Sequence, residues 1–133
     1  MVRRSDADAT AYRRALRVAD ATCRLAPNNG VFLNTLGVAQ YRAEKYEGAA
    51  ATLTRSDRLN AQPPLGSIPT DLAFLALVDY RLGQTEPARD TLRRLREAMK
   101  KPQHAKDPKA AGLLRKAEVV EQDQVFPADP FAR

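Results

Sequence analysis

The sequence repeats one helix-forming pattern at regular intervals, and this repeat constrains the fold more than any other feature. An alanine stands three residues after the first residue of "YRRALRVADATCRLAP", "YEGAAATLTRSDRLNA" and "TEPARDTLRRLREAMK". These alanines are Ala15, Ala49 and Ala88, so their offsets are 34 and 39 residues. Apolar residues recur at helical spacing throughout, and almost nothing has the two-residue period of a strand. The pattern therefore predicts an all-α chain built from repeated helix pairs.

Turn residues divide the pattern into six predicted helices, over about residues 10–25, 31–43, 46–59, 69–82, 85–100 and 108–122. Gly83 is expected as a left-handed C-terminal cap, and Thr85 as the N-cap of the next helix. Asp107 and Pro108 are expected to begin the sixth helix, after the polar loop "KKPQHAKDP". One helical domain is thus predicted over residues 10–122, between a flexible N-terminus (1–9) and an extended, proline-containing tail (123–133).

Small residues are placed where two helices of one pair are expected to cross. Gly37 lies inside a predicted helix, where glycine costs about 1 kcal/mol relative to alanine. Together with Ala49 it would let the helix axes approach closely, so that neighbouring leucines interdigitate. We therefore expect packing at this crossing to offset the cost of the glycine.

The period and the small residues together resemble the tetratricopeptide repeat family. The central unit matches the family pattern at Leu33, Leu36, Gly37, Ala49 and Leu53, and the third unit matches at Leu72, Leu75, Ala76, Ala88 and Leu92. The first unit supplies only a second helix, with Ala15, Leu16 and Pro27, and the central unit departs at Gln40 and Ala61. The resemblance implies an antiparallel helix-hairpin array of about two and a half repeats with a C-terminal capping helix.

A narrower resemblance concerns the segments "RLAPNNG", "LNTLGVAQYR", "LTRSDRLN" and "SIPTDLAFLAL". They look like the C-terminal repeat tail of large bacterial signalling proteins, which carry a Ser/Thr kinase domain or WD40 propellers upstream. The chain itself has no glycine-rich phosphate loop, no His-Arg-Asp and no Asp-Phe-Gly. The resemblance implies a non-catalytic module that binds a protein or peptide partner.

The family binds peptides in a concave groove lined by the first helix of each unit. Carried over by position, the groove residues are Val31, Asn34, Val38, Tyr41 and Arg42 in the central unit, and Thr70, Ala73, Leu77, Tyr80 and Arg81 in the third. Tyrosine and arginine are enriched at interface hot spots. Alternatively, Tyr41 and Tyr80 pack against a neighbouring helix. A clamp for chaperone tails is not expected, because its lysine and asparagine positions hold Asn34 and Val38.

The first helix carries two apolar stripes, one with Tyr12, Leu16, Ala19 and Cys23, and one with Ala11, Ala15, Val18, Thr22 and Leu25. The next helix can cover only one of them. We expect the stripe of Tyr12, Leu16 and Ala19 to remain uncovered within the chain and to form an interface. A second copy of the chain or an upstream domain would cover it.

The charge is +6, and basic and acidic residues are interleaved rather than grouped in blocks. A stripe of Arg89, Arg93, Arg96 and Lys100 offers an alternative function, a basic helical module that binds nucleic acid, or else a solvated outer face. The interleaved acids make nucleic acid the less expected partner.

Catalysis, metal binding and a membrane span are not expected. Cys23 and His104 are the only cysteine and the only histidine, and neither has a recognisable catalytic or metal-ligand partner. No apolar run has the length of a membrane span, and "MVRRSDADAT" has no apolar core of a secretory signal. A cytoplasmic protein without a cofactor is the expectation.

Overall fold

The computed structural model describes residues 6–62 and 66–125, and these ranges contain seven α-helices and no strand. The helices are α1 (Asp6–Leu25), α2 (Gly30–Arg42), α3 (Tyr46–Asn60), α4 (Pro69–Arg81), α5 (Thr85–Met99), α6 (Pro102–Ala105) and α7 (Pro108–Val125). The all-α class is confirmed. Helices α2 and α3 form one antiparallel hairpin, α4 and α5 form a second, and the two hairpins pack through α3 and α4.

The two hairpins repeat each other at an offset of 39 residues. Helices α2 and α4 are both 13 residues long, and α3 and α5 are both 15. Their turns also match, because the N–H of Glu44 donates to the carbonyl of Tyr41 just as that of Gly83 donates to Tyr80. Both donor residues have a left-handed backbone, with φ of 63° at Glu44 and 76° at Gly83. The predicted cap at Gly83 is confirmed, and Glu44 holds the same conformation without being glycine.

The missing side chain of Gly37 allows α2 and α3 to pack closely. A Cβ atom at Gly37 would lie 2.5 Å from Cγ of Leu53, well inside van der Waals contact. Leu53 and Ala49 are fully buried in the main core. The leucine of α3 therefore occupies the space against the α2 backbone, and the neighbour that explains Gly37 is Leu53 rather than Ala49.

A buried carboxylate joins the two hairpins. Asp71 on α4 is fully buried and accepts hydrogen bonds from Asn34 Nδ2 (2.7 Å), Ser56 Oγ (2.8 Å) and Asn60 Nδ2 (2.9 Å). Burial raises the pKa of Asp71, and the three hydrogen bonds oppose that rise. Because the donors come from α2 and α3, Asp71 links α4 to both helices of the first hairpin, beside the apolar core that the hairpins share.

Helix α7 closes the second hairpin by packing on α4 and α5. Its first turn is capped by the Asp107 carboxylate, which accepts from the Lys109 N–H at 3.0 Å, as the sequence predicts. Farther along, Glu121 accepts a hydrogen bond from Tyr80 Oη on α4 (2.9 Å), and it pairs with Arg96 on α5 (3.5 Å). The predicted capping helix is therefore tied to both helices of the hairpin.

Several predicted boundaries are wrong. The first helix begins at Asp6, so residues 6–9 of the expected flexible N-terminus are helical, and residues 1–5 lie outside the described residues. The expected polar loop contains α6, and α7 continues to Val125. Residue Gln84, without a side-chain capping bond, precedes α5, so Thr85 is not its N-cap. Residues 126–133 of the predicted tail lie outside the described residues. No helix in the described ranges is long and apolar enough to cross a membrane.

Candidate functional site

A cleft with a volume of about 310 Å³ opens between α1, α2, α4 and the start of α7, and we name it the inner cleft. It is lined by Tyr12, Ala15, Asn34, Thr35, Val38, Ala39, Arg42, Thr70, Phe74, Lys109 and Leu113. Apolar side chains such as Val38, Phe74 and Leu113 are combined there with two cations, Arg42 and Lys109. Such a mixture of apolar wall and a few charged groups is typical of ligand sites, although the volume is at the small end of their range.

Four predicted groove residues meet in the inner cleft, namely Asn34, Val38, Arg42 and Thr70. Val38 also packs against the main core, and the side chain of Asn34 is engaged with Asp71. Asn34 therefore has a structural role that its groove position alone did not indicate.

Tyr41 is part of an aromatic cluster and does not line the cleft. Its ring lies 5.8 Å from that of Tyr46 and 5.6 Å from that of Phe74, the latter in an edge-on arrangement at 68°. These distances are within the range of favourable aromatic pairs. The structure thus agrees with the alternative interpretation of Tyr41, in which it packs against neighbouring helices.

The groove predicted on α4 is covered by α7. Leu77 and Tyr80 are 1% and 2% exposed, and Ala73 is fully buried. Burial, followed by the hydrogen bond and charge of Glu121, raises the pKa of Tyr80 to about 12. Leu77 and Tyr80 are therefore core residues that a ligand cannot reach in this structure, so the groove prediction is wrong for both. For Tyr80 the structure agrees with the alternative interpretation, in which it packs against a neighbouring helix. Arg81 is exposed but does not line the inner cleft.

Sequence reasoning missed the contribution of α7 to the cleft. Lys109 and Leu113 complete the wall of the inner cleft. The repeat pattern does not define the angle at which a capping helix packs, so the sequence did not indicate that these two side chains line the cleft. Tyr12 was assigned to an interface and instead lines the cleft. An aromatic ring on an apolar stripe of α1 was the feature of the sequence that could have indicated this position.

The apolar stripe assigned to an interface on α1 is the wrong one of the two. Ala19 is 5% exposed, and Leu16 packs with it against Cys23, Leu33 and Leu36. The second stripe is the uncovered one, since Val18 and Leu25 are 61% and 88% exposed. The residues Ala11, Arg14, Ala15, Val18, Ala19, Thr22, Val31, Phe32 and Thr35 line a cavity of about 640 Å³, which we name the α1–α2 groove.

The basic stripe on α5 is matched by acids. Arg89 pairs with Glu86 (3.0 Å), Arg93 with Asp90 (2.6 Å), and Lys100 with Glu97 (3.0 Å). Arg96 pairs with Glu118 of α7 at 3.0 Å as well as with Glu121. Each cation of the stripe therefore has a carboxylate neighbour, as a solvated outer face does.

Cys23 and His104 lie on different parts of the fold. The Cys23 thiol is buried and donates to the Phe32 carbonyl (3.1 Å), and burial raises its pKa, which disfavours the nucleophilic thiolate. His104 lies on α6. Among the described residues, no three potential ligands are grouped to hold a metal ion.

Comparison with family models, curated proteins and solved structures gives no match to this chain.

Proposed function

We propose that the chain is a non-catalytic interaction module of the tetratricopeptide repeat type, which binds a short acidic peptide in the inner cleft. The observation that carries this proposal is the convergence in one cleft of four groove positions that the family resemblance implies, Asn34, Val38, Arg42 and Thr70. The repetition of hairpin lengths and turn hydrogen bonds at a constant offset supports the repeat assignment.

The charges and shape of the cleft favour an acidic ligand. Arg42 and Lys109 are both exposed cations on its wall, and an arginine fork suits a carboxylate. Val38 and Phe74 provide an apolar surface for one side chain of the peptide. Because Leu77 and Tyr80, in the second half of α4, are buried and Tyr80 bonds to α7, the cleft accommodates only a few residues rather than a peptide running along the whole array.

The rest of the functional assignment depends on the sequence resemblance. We place the module in the cytoplasm and, by its likeness to repeat tails of bacterial signalling proteins, assign it a role in recruiting a partner to such a protein. Nucleic-acid binding is the weaker alternative. The cations of the α5 stripe already have carboxylate neighbours, so phosphate groups would have to compete with these.

Selection of displayed peptides tests the cleft assignment. A library of random short peptides is selected on the wild-type chain, and binding of the enriched peptides is measured on the double variant Arg42→Glu, Lys109→Glu. The matched control is Arg81→Glu, Lys116→Glu. Arg81 is the equivalent of Arg42 in the second hairpin, Lys116 is on α7 with Lys109, and both controls are exposed outside the cleft.

We expect enriched peptides to be acidic and to lose roughly tenfold or more in affinity to the cleft variant, while the control variant keeps its affinity within about twofold. A selection that enriches nothing, or peptides that bind both variants equally, would contradict the proposal.

A further inference from the structure

The α1–α2 groove is an apolar surface that no other described helix covers. Val18 of α1 and Val31 of α2 are 61% and 66% exposed on its two walls. Ala15 on its floor is also exposed, whereas its counterparts Ala49 and Ala88 in the two hairpins are fully buried. The same repeat position is therefore covered in both hairpins and uncovered in α1.

The internal repeat shows what covers this position elsewhere. Helix α2 is held between α3 and α4 by five side chains or backbone sites: Gly48 next to Gln40, Leu53 against Gly37, Ser56 with the Gly30 carbonyl, Asp71 with Asn34, and Phe74 with Tyr41. Shifted back by 34 residues on α3 and by 39 on α4, these five correspond to Arg14, Ala19, Thr22, Phe32 and Thr35. All five line the α1–α2 groove. The groove is thus equivalent to the space that α2 occupies one repeat later.

The substitutions between the equivalent positions define the chemistry of an occupant. Ala19 stands in place of Leu53, so a helix bound in the groove would need a large apolar residue at the position equivalent to Gly37. Phe32 stands in place of Asp71, so the position equivalent to Asn34 faces an apolar ring. Arg14 stands in place of Gly48, so the position equivalent to Gln40 faces a cation at the rim.

We propose that the α1–α2 groove binds an amphipathic helix of a partner polypeptide, about as long as the 13-residue α2 and antiparallel to α1. The helix carries large apolar residues on one face and an acidic residue opposite Arg14. This surface is separate from the inner cleft, although Ala15 and Thr35 border both.

A second copy of the chain fits this groove less well. Its exposed α1 stripe consists of Ala11, Ala15, Val18, Thr22 and Leu25, which are mostly small residues. The groove itself has Ala19 and Thr35 at the positions where the walls around α2 have Leu53 and Phe74. Small residues facing small residues would leave unfilled space, which weakens an apolar interface.

The probe is a synthetic peptide of residues 28–45 of this chain with Asn34→Leu, Gly37→Leu and Gln40→Glu, labelled for fluorescence anisotropy. The reference peptide has the same residues without the three changes. Binding is measured to wild type, Val18→Glu and Arg14→Glu, with Arg17→Glu as the matched control on an exposed site of α1 outside the groove. Circular dichroism checks that each variant keeps its helix content.

We expect the modified peptide to bind wild type with a dissociation constant in roughly the micromolar range, about tenfold more tightly than the reference. Val18→Glu and Arg14→Glu should each weaken binding by about fivefold or more, and Arg17→Glu should not. The Arg42→Glu, Lys109→Glu variant should bind normally, so a failure of the cleft proposal would be distinguishable from a failure here.

The proposal is overturned if the modified peptide binds no better than the reference, or if Val18→Glu and Arg14→Glu bind it as wild type does. It is also overturned if sedimentation shows a dimer that Val18→Glu dissociates, because a second copy would then be the occupant.

Discussion

At the scale of single residues, the spacing of the helices depends on where side chains are small. The absent side chain of Gly37 leaves room for Leu53. The equivalent position in the second hairpin is Ala76, which is fully buried. Backbone conformation is equally local. Glu44 takes a left-handed φ that its counterpart Gly83 adopts without a steric cost.

Asp79 on α4 is a half-buried carboxyl whose pKa burial raises to about 6.

The packing role of Gly37 is tested by Gly37→Ala against Gly112→Ala. Both glycines are inside helices, so both changes gain about 1 kcal/mol of helix propensity. At Gly37 the new Cβ meets Leu53, and we expect a net loss of roughly 1–3 kcal/mol of unfolding free energy. At Gly112 the nearest atom is Arg115 Nη2 at 3.9 Å, so we expect a gain. Urea titration measures both, and a Gly37→Ala protein as stable as wild type would refute the packing explanation.

Glu44→Gly should stabilise the chain by about 1 kcal/mol, because glycine reaches the left-handed region without the clash of a Cβ atom. The reverse change, Gly83→Glu, should cost a similar amount in the equivalent turn. Thermal unfolding of the two variants provides the comparison. Equal melting temperatures for Glu44→Gly and wild type would show that the turn carries no such strain.

Asp79 makes stability fall as pH rises. The pKa of Asp79 is about 6 in the folded chain, against 3.8 for an ordinary aspartate. Between pH 3.8 and 6 the folded state therefore binds the proton more strongly than the unfolded state does. Its penalty is absent below about pH 4 and complete above about pH 7. Solvent screens this half-buried carboxyl, so we expect Asp79→Asn to raise the unfolding free energy at pH 7.5 by about 1–2 kcal/mol, less than the full pKa shift implies. At about pH 4 the free energy should be nearly unchanged. A variant that is equally stabilised at both pH values would contradict the titration.

At the scale of helices, the sequence predicted what local chemistry determines. The hairpin helices, the cap at Gly83 and the start of α7 at Asp107 follow from periodicity and capping, and all three are observed. The packing of Tyr80 on α7 agrees with the alternative in which it contacts a neighbouring helix. The burial of Leu77 was not predictable from its repeat position, because the placement of α7 on α4 is set by tertiary packing. The prediction of which α1 stripe is exposed was wrong for a similar reason. Both stripes are apolar, and only the packing of α2 on one of them distinguishes the two.

Asp71 supplies buried hydrogen bonds between the two hairpins, in addition to their shared apolar core. Asp71→Ala would leave the buried donors of Asn34, Ser56 and Asn60 without their shared acceptor, and we expect a loss of roughly 3 kcal/mol. Asp90→Ala is the matched control, because Asp90 forms an exposed ion pair with Arg93 that contributes less than about 1 kcal/mol. If chemical denaturation shows similar losses for the two variants, the Asp71 network does not hold the hairpins together.

At the scale of the whole molecule, the two ends of the array differ. Helix α7 covers the second hairpin, whereas none of the other described helices covers the outer face of α1 and α2. The inner cleft lies between these ends, where α1 and α7 border the same face of α2 and α4. Of the groove positions that the family resemblance implies, Leu77 and Tyr80 on α4 are buried, and four of the others line the inner cleft.

We propose that this cleft, and not the basic face of α5, binds the partner. Backbone amide chemical shifts of the labelled chain, followed during titration with the selected acidic peptide and separately with a duplex oligonucleotide, test it most directly. We predict saturable shifts with the peptide at residues 12–15, 34–42, 70–74 and 109–113, which line the cleft, and only weak, salt-sensitive shifts with the oligonucleotide. Peptide-induced shifts outside these segments, or saturable oligonucleotide binding centred on residues 89–100, would contradict it.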